Sequence, residues 1–226
     1  MKNYALFLWI ALLMLGISGT IGAREVASFN DGWEFKKGPF SKEALQAVQK
    51  WNSDWQEVSI PHTWNADDMQ KQASAFYEGV GYYRKKFTFP ENMEGKRIFL
   101  RFEGVGSYAE VYINGYLAGT HKGAYSAFAC EISSQVKFGK ENEIIVKADN
   151  SSRPDVIPTN HILFGVYGGI YRPVWLVVTE TCSIIANDCA SPGVYITQKN
   201  VSKKSAEVTV KAVSYTHLTL PTTSRV

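Results

Sequence analysis

The 226-residue sequence has few of the residues that build metal centres and disulfide frameworks, with 3 cysteines and 4 histidines. Cys130, Cys182 and Cys189 match no metal-ligand spacing, so we predict no metal site and no cofactor. An odd number of cysteines leaves at least one thiol unpaired. A Cys182–Cys189 disulfide and three buried free thiols both remain open at this point.

The sequence also lacks a large excess of one charge, because it has 24 basic and 21 acidic residues and a net charge of +3. Such a balance does not indicate a nucleic-acid partner. The basic pairs Lys36–Lys37 and Lys85–Lys86 lie among aromatic, strand-like residues, and we interpret them as solvated strand faces. The long apolar run, residues 4–17, is shorter than the ~20 residues that a membrane span needs.

Residues 1–23 have the composition of a secretory signal peptide. Lys2 precedes the apolar run, small residues follow it, and charge returns at Arg24. We predict cleavage near Gly22 or Ala23, a periplasmic or secreted mature chain, and no membrane association after the signal is removed. No cysteine follows the run, which argues against a lipoprotein anchor.

Residues 24–180 predict an all-β structure, because short alternating segments are separated by turns that contain glycine or proline. Asn114–Gly115 is typical of a type I′ hairpin turn. Many short strands favour a jelly-roll β-sandwich. A short helix is expected only at Ser41–Lys50. The predicted strands are Tyr82–Phe89, Arg97–Glu103, Tyr108–Ile113, Tyr116–His121, Glu143–Ala148 and Pro173–Val178.

The strand at residues 97–103 shows the alternation most clearly. A period of two predicts that Ile98, Leu100 and Phe102 point into the core. The same period places Arg97 and Arg101 on the outer, solvated face.

Beyond residue 180 the pattern changes. Gly193–Thr197 and Ala206–Ala212 predict two strands, and two strands alone do not make a stable domain. We therefore interpret residues 181–213 as the start of an immunoglobulin-like sandwich that this sequence does not complete.

The last segment, residues 214–226, does not continue the strand pattern. Residues 213–218 resemble a translated sequencing-adaptor sequence, and we interpret the segment as a non-native tail. The alternative is a natural loop. No function is assigned to His217.

A series of short motifs follows in order along residues 29–180, and together they resemble the sugar-binding domain of glycoside hydrolase family 2. This family contains β-galactosidases, β-glucuronidases and β-mannosidases. Beyond residue 180 a weaker resemblance to the family's immunoglobulin-like second domain continues. The motifs lie at residues 29–35, 55–65 (with Pro61-His62-Thr63-Trp64), 79–87, 97–104, 109–115, 119–128, 139–150 and 168–176.

The resemblance implies a galactose-binding-domain-like jelly roll with a carbohydrate partner. It also implies that the catalytic residues lie elsewhere, because family 2 enzymes carry both glutamates on a later (β/α)8 barrel of roughly 250 residues. The parent protein is then an exported hydrolase of terminal β-glycosides, β-galactosides foremost, and this chain alone is predicted to be inactive. Asn142–Glu143 matches the family's acid/base dipeptide, but it lies in a turn that enters a strand, and we reject it as catalytic.

The resemblance further implies that this domain lends loops to the rim of the active site. Glu78 lies where the family offers a polar sugar contact. The family often has an aspartate six residues before the second glycine of Gly168–Gly169, where this sequence has Leu163. Asn160 and His161 are the nearby substitutes. The predicted substrate-binding residues are therefore Glu78, Asn160 and His161, with ordinary loop residues as the alternative.

Other motif residues have structural interpretations. We expect His62, next to Pro61, to be a partly buried residue at a strand end. Gly168–Gly169 is expected to allow a tight turn, since the strand–helix context of a phosphate loop is lacking. Arg172 fits either a buried ion pair or a sugar contact.

Two further hypotheses remain for the whole chain: a stand-alone, lectin-like carbohydrate-binding module, and a structural sandwich for protein contacts. The ordered motifs argue against the second. The incomplete two strands argue against the first. The expected partners are a β-glycoside and the missing catalytic domain of the same chain. A homo-oligomer is left open.

Overall fold

The computed structural model describes residues 24–38, 55–68, 76–157 and 165–215. The predicted signal peptide, the predicted helix at residues 41–50 and the two site candidates Asn160 and His161 lie outside these ranges. Within them the chain forms strands and a 3-10 turn at Glu91–Met93. The strands are β1 (Arg24–Ser28), β2 (Trp33–Lys37), β3 (Gln56–Val58), β4 (Val80–Thr88), β5 (Arg97–Phe102), β6 (Tyr108–Ile113), β7 (Tyr116–Lys122), β8 (Phe128–Glu131), β9 (Glu141–Asp149), β10 (Val174–Thr179), β11 (Ser183–Ile184), β12 (Val194–Lys199), β13 (Glu207–Ala212) and β14 (Ser214–Tyr215).

Two antiparallel sheets carry most of the strands. One has six strands in the order β3-β2-β4-β9-β6-β7, and the other has four in the order β1-β10-β5-β8. Their inner faces share one hydrophobic core. The all-β class predicted from the sequence is confirmed, and the predicted strands of residues 80–179 are all present, with no end shifted by more than two residues.

The core follows from the alternation of apolar residues along the strands. Ile98, Leu100 and Phe102 of β5 are fully buried, as predicted, and they meet Val111 and Ile113 of β6 in one cluster. Each side chain of this size contributes about 1.5–3 kcal/mol when it leaves water. The inner faces of the two sheets therefore account for the main stabilisation of residues 24–180.

The outer face of the four-stranded sheet is covered, which the sequence did not predict. Arg97 was predicted to face solvent, but it is only 6% exposed. Its Nε and Nη2 donate to the two carboxylate oxygens of Glu131 at 2.9 and 2.6 Å. Beside it, Phe99 and Val177 pack against Ala186. The prediction for Arg97 is wrong because a period of two describes one buried face and carries no signal for a second.

The outer face of the six-stranded sheet has a buried arginine as well. Arg84 is 1% exposed, its guanidinium lies 4.1 Å from the ring centre of Trp55, and its Nε donates to Glu34 at 2.7 Å. The neighbouring Lys85 is half-buried over the Phe29 ring, so the predicted solvated face fails there. It holds for Lys86, which pairs with an exposed glutamate.

The hairpin turn between β6 and β7 was predicted correctly. Asn114 has φ 50° and Gly115 has φ 84°, and both values belong to the left-handed region that a type I′ turn requires. The Asn114 side chain adds a bond from Nδ2 to the carbonyl of Gln135 at 2.8 Å.

Residues 181–215 form two small pairings. The two predicted strands are present as β12 and β13, which pair only with each other. Strand β14, at the start of the segment interpreted as a non-native tail, pairs with β11. Arg24 of β1 joins this region to the sandwich, because its Nη2 donates to the carbonyls of Ile184 and Ile185 at 3.0 and 3.2 Å.

The three cysteines are free thiols. Cys130 is buried, whereas Cys182 and Cys189 are exposed, so neither the disulfide nor three buried thiols describes the structure. The described residues include no group of three or more histidine, cysteine, aspartate or glutamate side chains placed to hold a metal ion. None of the described helices has the length and apolar character needed to cross a membrane.

Candidate functional site

Several loops meet at one end of the sandwich, which we call the rim end. Strand β4 begins there with Val80, β9 ends there with Asp149, and β6 begins there with Tyr108, because both Val80 and Tyr108 are register partners of Asp149. Antiparallel pairing therefore brings together loops that are far apart in the sequence. The loops of the rim end are residues 62–68, 76–79, 123–127, 149–157 and 165–171.

Glu78, one of the three predicted site residues, lies at the rim end with an exposed side chain. The backbone on both sides of it is fixed. The N–H of Gly79 donates to Oδ1 of Asn150 at 2.8 Å, and the carbonyl of Gly79 accepts from the N–H of Asn150 at 3.1 Å. On the other side, the carbonyl of Tyr77 accepts from Nδ2 of Asn65 at 3.0 Å. An exposed carboxylate thus stands on a backbone that is held at both neighbours.

An aromatic group supports the Glu78 loop from below. The hydroxyl of Tyr77 donates to the carbonyl of Val80 at 3.1 Å, and the Tyr77 ring meets the edge of Trp64 at 6.2 Å. Burial is the main cause that raises the pKa of Tyr77, so this hydroxyl stays protonated and remains a donor. The loop is therefore held by side-chain packing as well as by backbone hydrogen bonds.

Trp64 fits under the rim only because of a glycine in the facing loop. A Cβ on Gly168 would meet the Trp64 ring at 1.9 Å. Gly169 has φ 107°, which L side chains rarely adopt, and its Cβ would also meet the Tyr83 hydroxyl at 2.3 Å. The expected tight turn is confirmed at Gly169, and Gly168 adds a close approach that the sequence did not reveal.

His62 is a structural partner, as the sequence predicted. Its Nδ1 lies 2.7 Å from the hydroxyl of Tyr83, which is fully buried. Burial, with the nearby charge of Lys37, lowers the pKa of His62, and burial raises the pKa of Tyr83 well above its usual value. Both groups therefore remain neutral near pH 7 and hold the loop that leads to Trp64.

The rim end also exposes aromatic and apolar surface. Tyr125 is 65% exposed and Ile157 is 75% exposed, and their strand-end loops are joined by a bond from the N–H of Ala124 to the carbonyl of Ile157 at 3.1 Å. Tyr167 is 39% exposed and its ring meets Phe76 edge-on at 6.1 Å. Exposed tyrosine rings can stack on the apolar face of a sugar, and a carboxylate can accept from its hydroxyls.

Two other sequence candidates have different surroundings. Asn142 is 1% exposed and uses its side-chain amide to bind the backbone of Lys137 and Lys140, at the opposite end of β9 from the rim. It has a structural role, in line with the rejection of Asn142–Glu143 as an acid/base pair. Arg172 is exposed and lies 6.0 Å from the Tyr171 ring centre, not in a buried ion pair.

The comparison with protein families gives one match that covers most of the chain. The model described as "Glycosyl hydrolases family 2, sugar binding domain" matches residues 26–180, which include both sheets and the rim end. The chain belongs to glycoside hydrolase family 2. The family resemblance predicted from the ordered motifs is confirmed.

Curated relatives in family 2 carry two different activities in their names. A β-glucuronidase of Bacteroides fragilis is 37% identical over 210 residues, which are 93% of this chain and 28% of the relative. A β-galactosidase of Thermoanaerobacter pseudethanolicus is 33% identical over 192 residues, covering 83% of this chain and 24% of the relative. The chain thus spans about a quarter of the length of these curated relatives.

Solved structures of family 2 proteins have the same fold as this chain. A putative β-galactosidase from Bacteroides fragilis is 68% identical, with a TM-score of 0.79, over 84% of this chain and 28% of that chain. A β-glucuronidase from Bacteroides uniformis is 32% identical, with a TM-score of 0.77, over 84% of this chain and 22% of that chain. The fold is therefore that of the family 2 sugar-binding domain.

The sequence did not point to the polar residues that hold the rim loops. Asn65, Asp68 and Asn150 are buried beneath Glu78 and bind the loop backbones. The sequence signal that could have identified these three residues is weak. Each is a short polar side chain just beyond a strand or motif, and such residues are usually explained by turn formation.

Proposed function

We propose that this chain is the N-terminal carbohydrate-binding and scaffold part of an exported glycoside hydrolase that cleaves terminal β-glycosides, β-galactosides foremost. The observation that carries the proposal is Glu78, an exposed carboxylate on a fixed backbone at the aromatic rim end of a family 2 sugar-binding domain. A binding group that is ordered before the ligand arrives loses less entropy on binding. The rim is suited to orient a sugar for catalytic residues supplied by another part of the protein.

The carboxylate at the rim favours a neutral sugar over a uronate. Glu78 offers acceptors to hydroxyl groups, and it repels a second carboxylate at short range. The second candidate substrate is a β-glucuronide, which the name of the 37% identical Bacteroides fragilis relative supports.

Steady-state kinetics of the full-length protein on p-nitrophenyl β-galactoside and β-glucuronide tests this choice. We expect the higher kcat/KM for the galactoside. We also expect Glu78→Gln to raise the galactoside KM about tenfold, the loss of one hydrogen bond to a charged group. A higher kcat/KM for the glucuronide would replace the galactoside with the second candidate. An unchanged KM in Glu78→Gln would remove Glu78 from the site.

The isolated 226-residue chain separates the enzyme-fragment hypothesis from the lectin-like one. We expect no turnover of either substrate, and no saturable binding of galactosides below millimolar concentration in calorimetric titration. Tight, saturable binding by the chain alone would favour the stand-alone carbohydrate-binding module.

Export is testable through residues 1–23. Expression of the chain with its own N-terminus in a Gram-negative host should give a periplasmic product. Its mass should correspond to a chain that begins near residue 24. A cytoplasmic product that retains residue 1 would contradict export.

A further inference from the structure

Three buried polar side chains of the rim end connect its loops. Asn65 and Asn150 are 0% exposed, and Asp68 is 7% exposed. Nδ2 of Asn65 donates to Oδ2 of Asp68 at 2.7 Å, and Nδ2 of Asn150 lies 3.3 Å from Oδ1 of Asn65. The three side chains therefore form one connected buried network, and such networks stay ordered because an unpaired member would be costly.

Asn150 binds two loops at once. Its Oδ1 accepts from the N–H of Gly79, next to Glu78, at 2.8 Å. Its Nδ2 donates to the carbonyl of Val166, in the facing loop, at 2.7 Å. One amide group therefore spans the space between the loop of residues 76–79 and the loop of residues 165–169.

Asn65 binds the same two loops in the opposite sense. Its Nδ2 donates to the carbonyl of Tyr77 at 3.0 Å, whereas its Oδ1 accepts from the N–H of Gly168 at 2.8 Å. Asp68 completes the attachment of the first loop by accepting from the N–H of Tyr77 at 3.2 Å. Each loop is thus held by both asparagines, and displacement of one loop removes bonds that keep both amide groups oriented toward the other loop.

We infer that Asn65 and Asn150 are positioning residues that couple the loop of residues 76–79 to the loop of residues 165–169, so that Glu78 keeps its place only while the second loop is docked. The functional part of this inference rests on the proposed role of Glu78 as a sugar contact. The coupling itself rests only on the hydrogen bonds between the two loops.

The chain contains a matched control on the same strand. Asn142 lies at the other end of β9, is equally buried, and also binds backbone groups through its whole amide, yet it contacts neither rim loop. If Asn150 had only a structural role, Asn142→Ser and Asn150→Ser would change stability and KM alike. They would differ only in where the hydrogen bonds are lost.

Hydrogen exchange of the 226-residue chain, resolved by NMR at the N–H groups of Gly79 and Gly168, tests the coupling. Asn150→Ser removes the acceptor of Gly79 but leaves the acceptor of Gly168, and Asn65→Ser does the reverse. We expect each variant to accelerate both amides about tenfold, because the loops open together. If each variant accelerates only the amide that lost its own acceptor, the loops are independent and the inference is wrong.

Asn150→Asp is the second variant if Asn150→Ser does not fold. It keeps the acceptor for Gly79 and loses the donor to Val166. Acceleration at Gly79, whose own acceptor this variant keeps, supports the coupling, whereas unchanged exchange at Gly79 overturns it.

Kinetics of the full-length enzyme tests the positioning role. We expect Asn150→Ser to raise KM about tenfold with kcat unchanged, since a shift of about 1 Å in a positioning group is enough to cost this much. The Asn150→Ser/Glu78→Gln double variant should lose no more than Glu78→Gln alone. Asn142→Ser should lower stability and leave KM unchanged.

Equal increases of KM in Asn142→Ser and Asn150→Ser would show a general loss of stability and overturn the positioning role. An unchanged KM in Glu78→Gln would instead remove the proposed sugar contact. In that case the exchange of Gly79 and Gly168 still decides whether the loops are coupled.

Discussion

The sandwich of residues 24–180 and the β12–β13 hairpin follow the same sequence pattern with opposite results. Both alternate apolar and polar residues along antiparallel strands. In the sandwich, Ile98 and Val111 are 0% exposed, because a second sheet covers their face. In the hairpin, Ile196 is 64% and Val210 is 52% exposed, on a face that no described strand covers. Alternation predicts a strand, and a second layer decides whether that strand has a core.

The largest expected effect comes from truncating a core side chain in each region. Phe102→Ala removes a fully buried ring that stacks on Phe128 at 4.8 Å, and we expect a loss of about 3–5 kcal/mol in unfolding free energy. Ile196→Ala in the hairpin should cost less than about 0.5 kcal/mol. Urea denaturation followed by fluorescence measures both. Equal losses would mean that the two regions are equally packed.

The boundary of the sandwich gives the next largest effect. Ala186 packs against Phe99 and Val177, and the carbonyl of Ala190 accepts from Nε of Arg101 at 3.4 Å. A chain that ends at residue 180 should therefore be about 2 kcal/mol less stable than one that ends at residue 192, from the apolar area that it uncovers.

The chain that ends at residue 192 should unfold like the whole chain. Equal denaturation midpoints for the chains ending at 180 and 192 would show that the connecting segment contributes nothing to the sandwich.

A change of pH is expected to have a smaller effect on the free energy of unfolding, and only in the sandwich. The pKa of His62 is lowered by burial, so His62 is neutral in both states above pH 6.5 and has no effect on stability there. As the pH falls below 6.5, the unfolded chain binds a proton that the folded chain does not. Stability should then fall until the pH reaches the folded-state pKa.

His62→Gln should flatten this decline between pH 6.5 and 5, as measured by denaturation at a series of pH values. The contribution of His121, whose pKa is also lowered, is the same in both proteins and cancels in the difference. An identical slope in the variant would show that His62 is not held neutral by burial.

The smallest change in stability is expected on the apolar face of the hairpin. Ile196→Lys with Val210→Lys should leave the unfolding free energy of the sandwich unchanged. The same pair should reduce self-association of the chain, because exposed apolar strands pair between molecules. Sedimentation velocity at several concentrations measures this. Unchanged self-association would place the contact elsewhere on the chain.

The sequence predicted the inner face of the sandwich and missed the outer ones. Ile98, Leu100 and Phe102 were assigned correctly because a half-buried strand has a period of two. The burial of Arg97 and Arg84 was missed because each side chain is covered by a residue distant in the sequence: Glu131 pairs with Arg97, and the Trp55 ring lies over Arg84. Alternation along one strand carries no information about such coverage.

The candidate site also contains residues that were predicted from the sequence and residues that were not. Glu78 was found through the family motif that follows it, and His62 through its place beside Pro61 at a strand end. Asn65 and Asn150 were not identified as site residues, because their role depends on bonds between loops that are 85 residues apart in the sequence. Only the antiparallel pairing of the six-stranded sheet brings these loops together.

The two sheets of the sandwich, with the contacts of Ala186 and Ala190, are expected to unfold as one unit to which the β12–β13 hairpin adds no stability. Residue-resolved hydrogen exchange of the 226-residue chain tests it in one sample. We expect amides of β4 and β9 to exchange only through global unfolding, whereas amides of β12 and β13 exchange through local opening at a much lower free energy. Equal protection in the hairpin and in the paired strands β4 and β9 would contradict it.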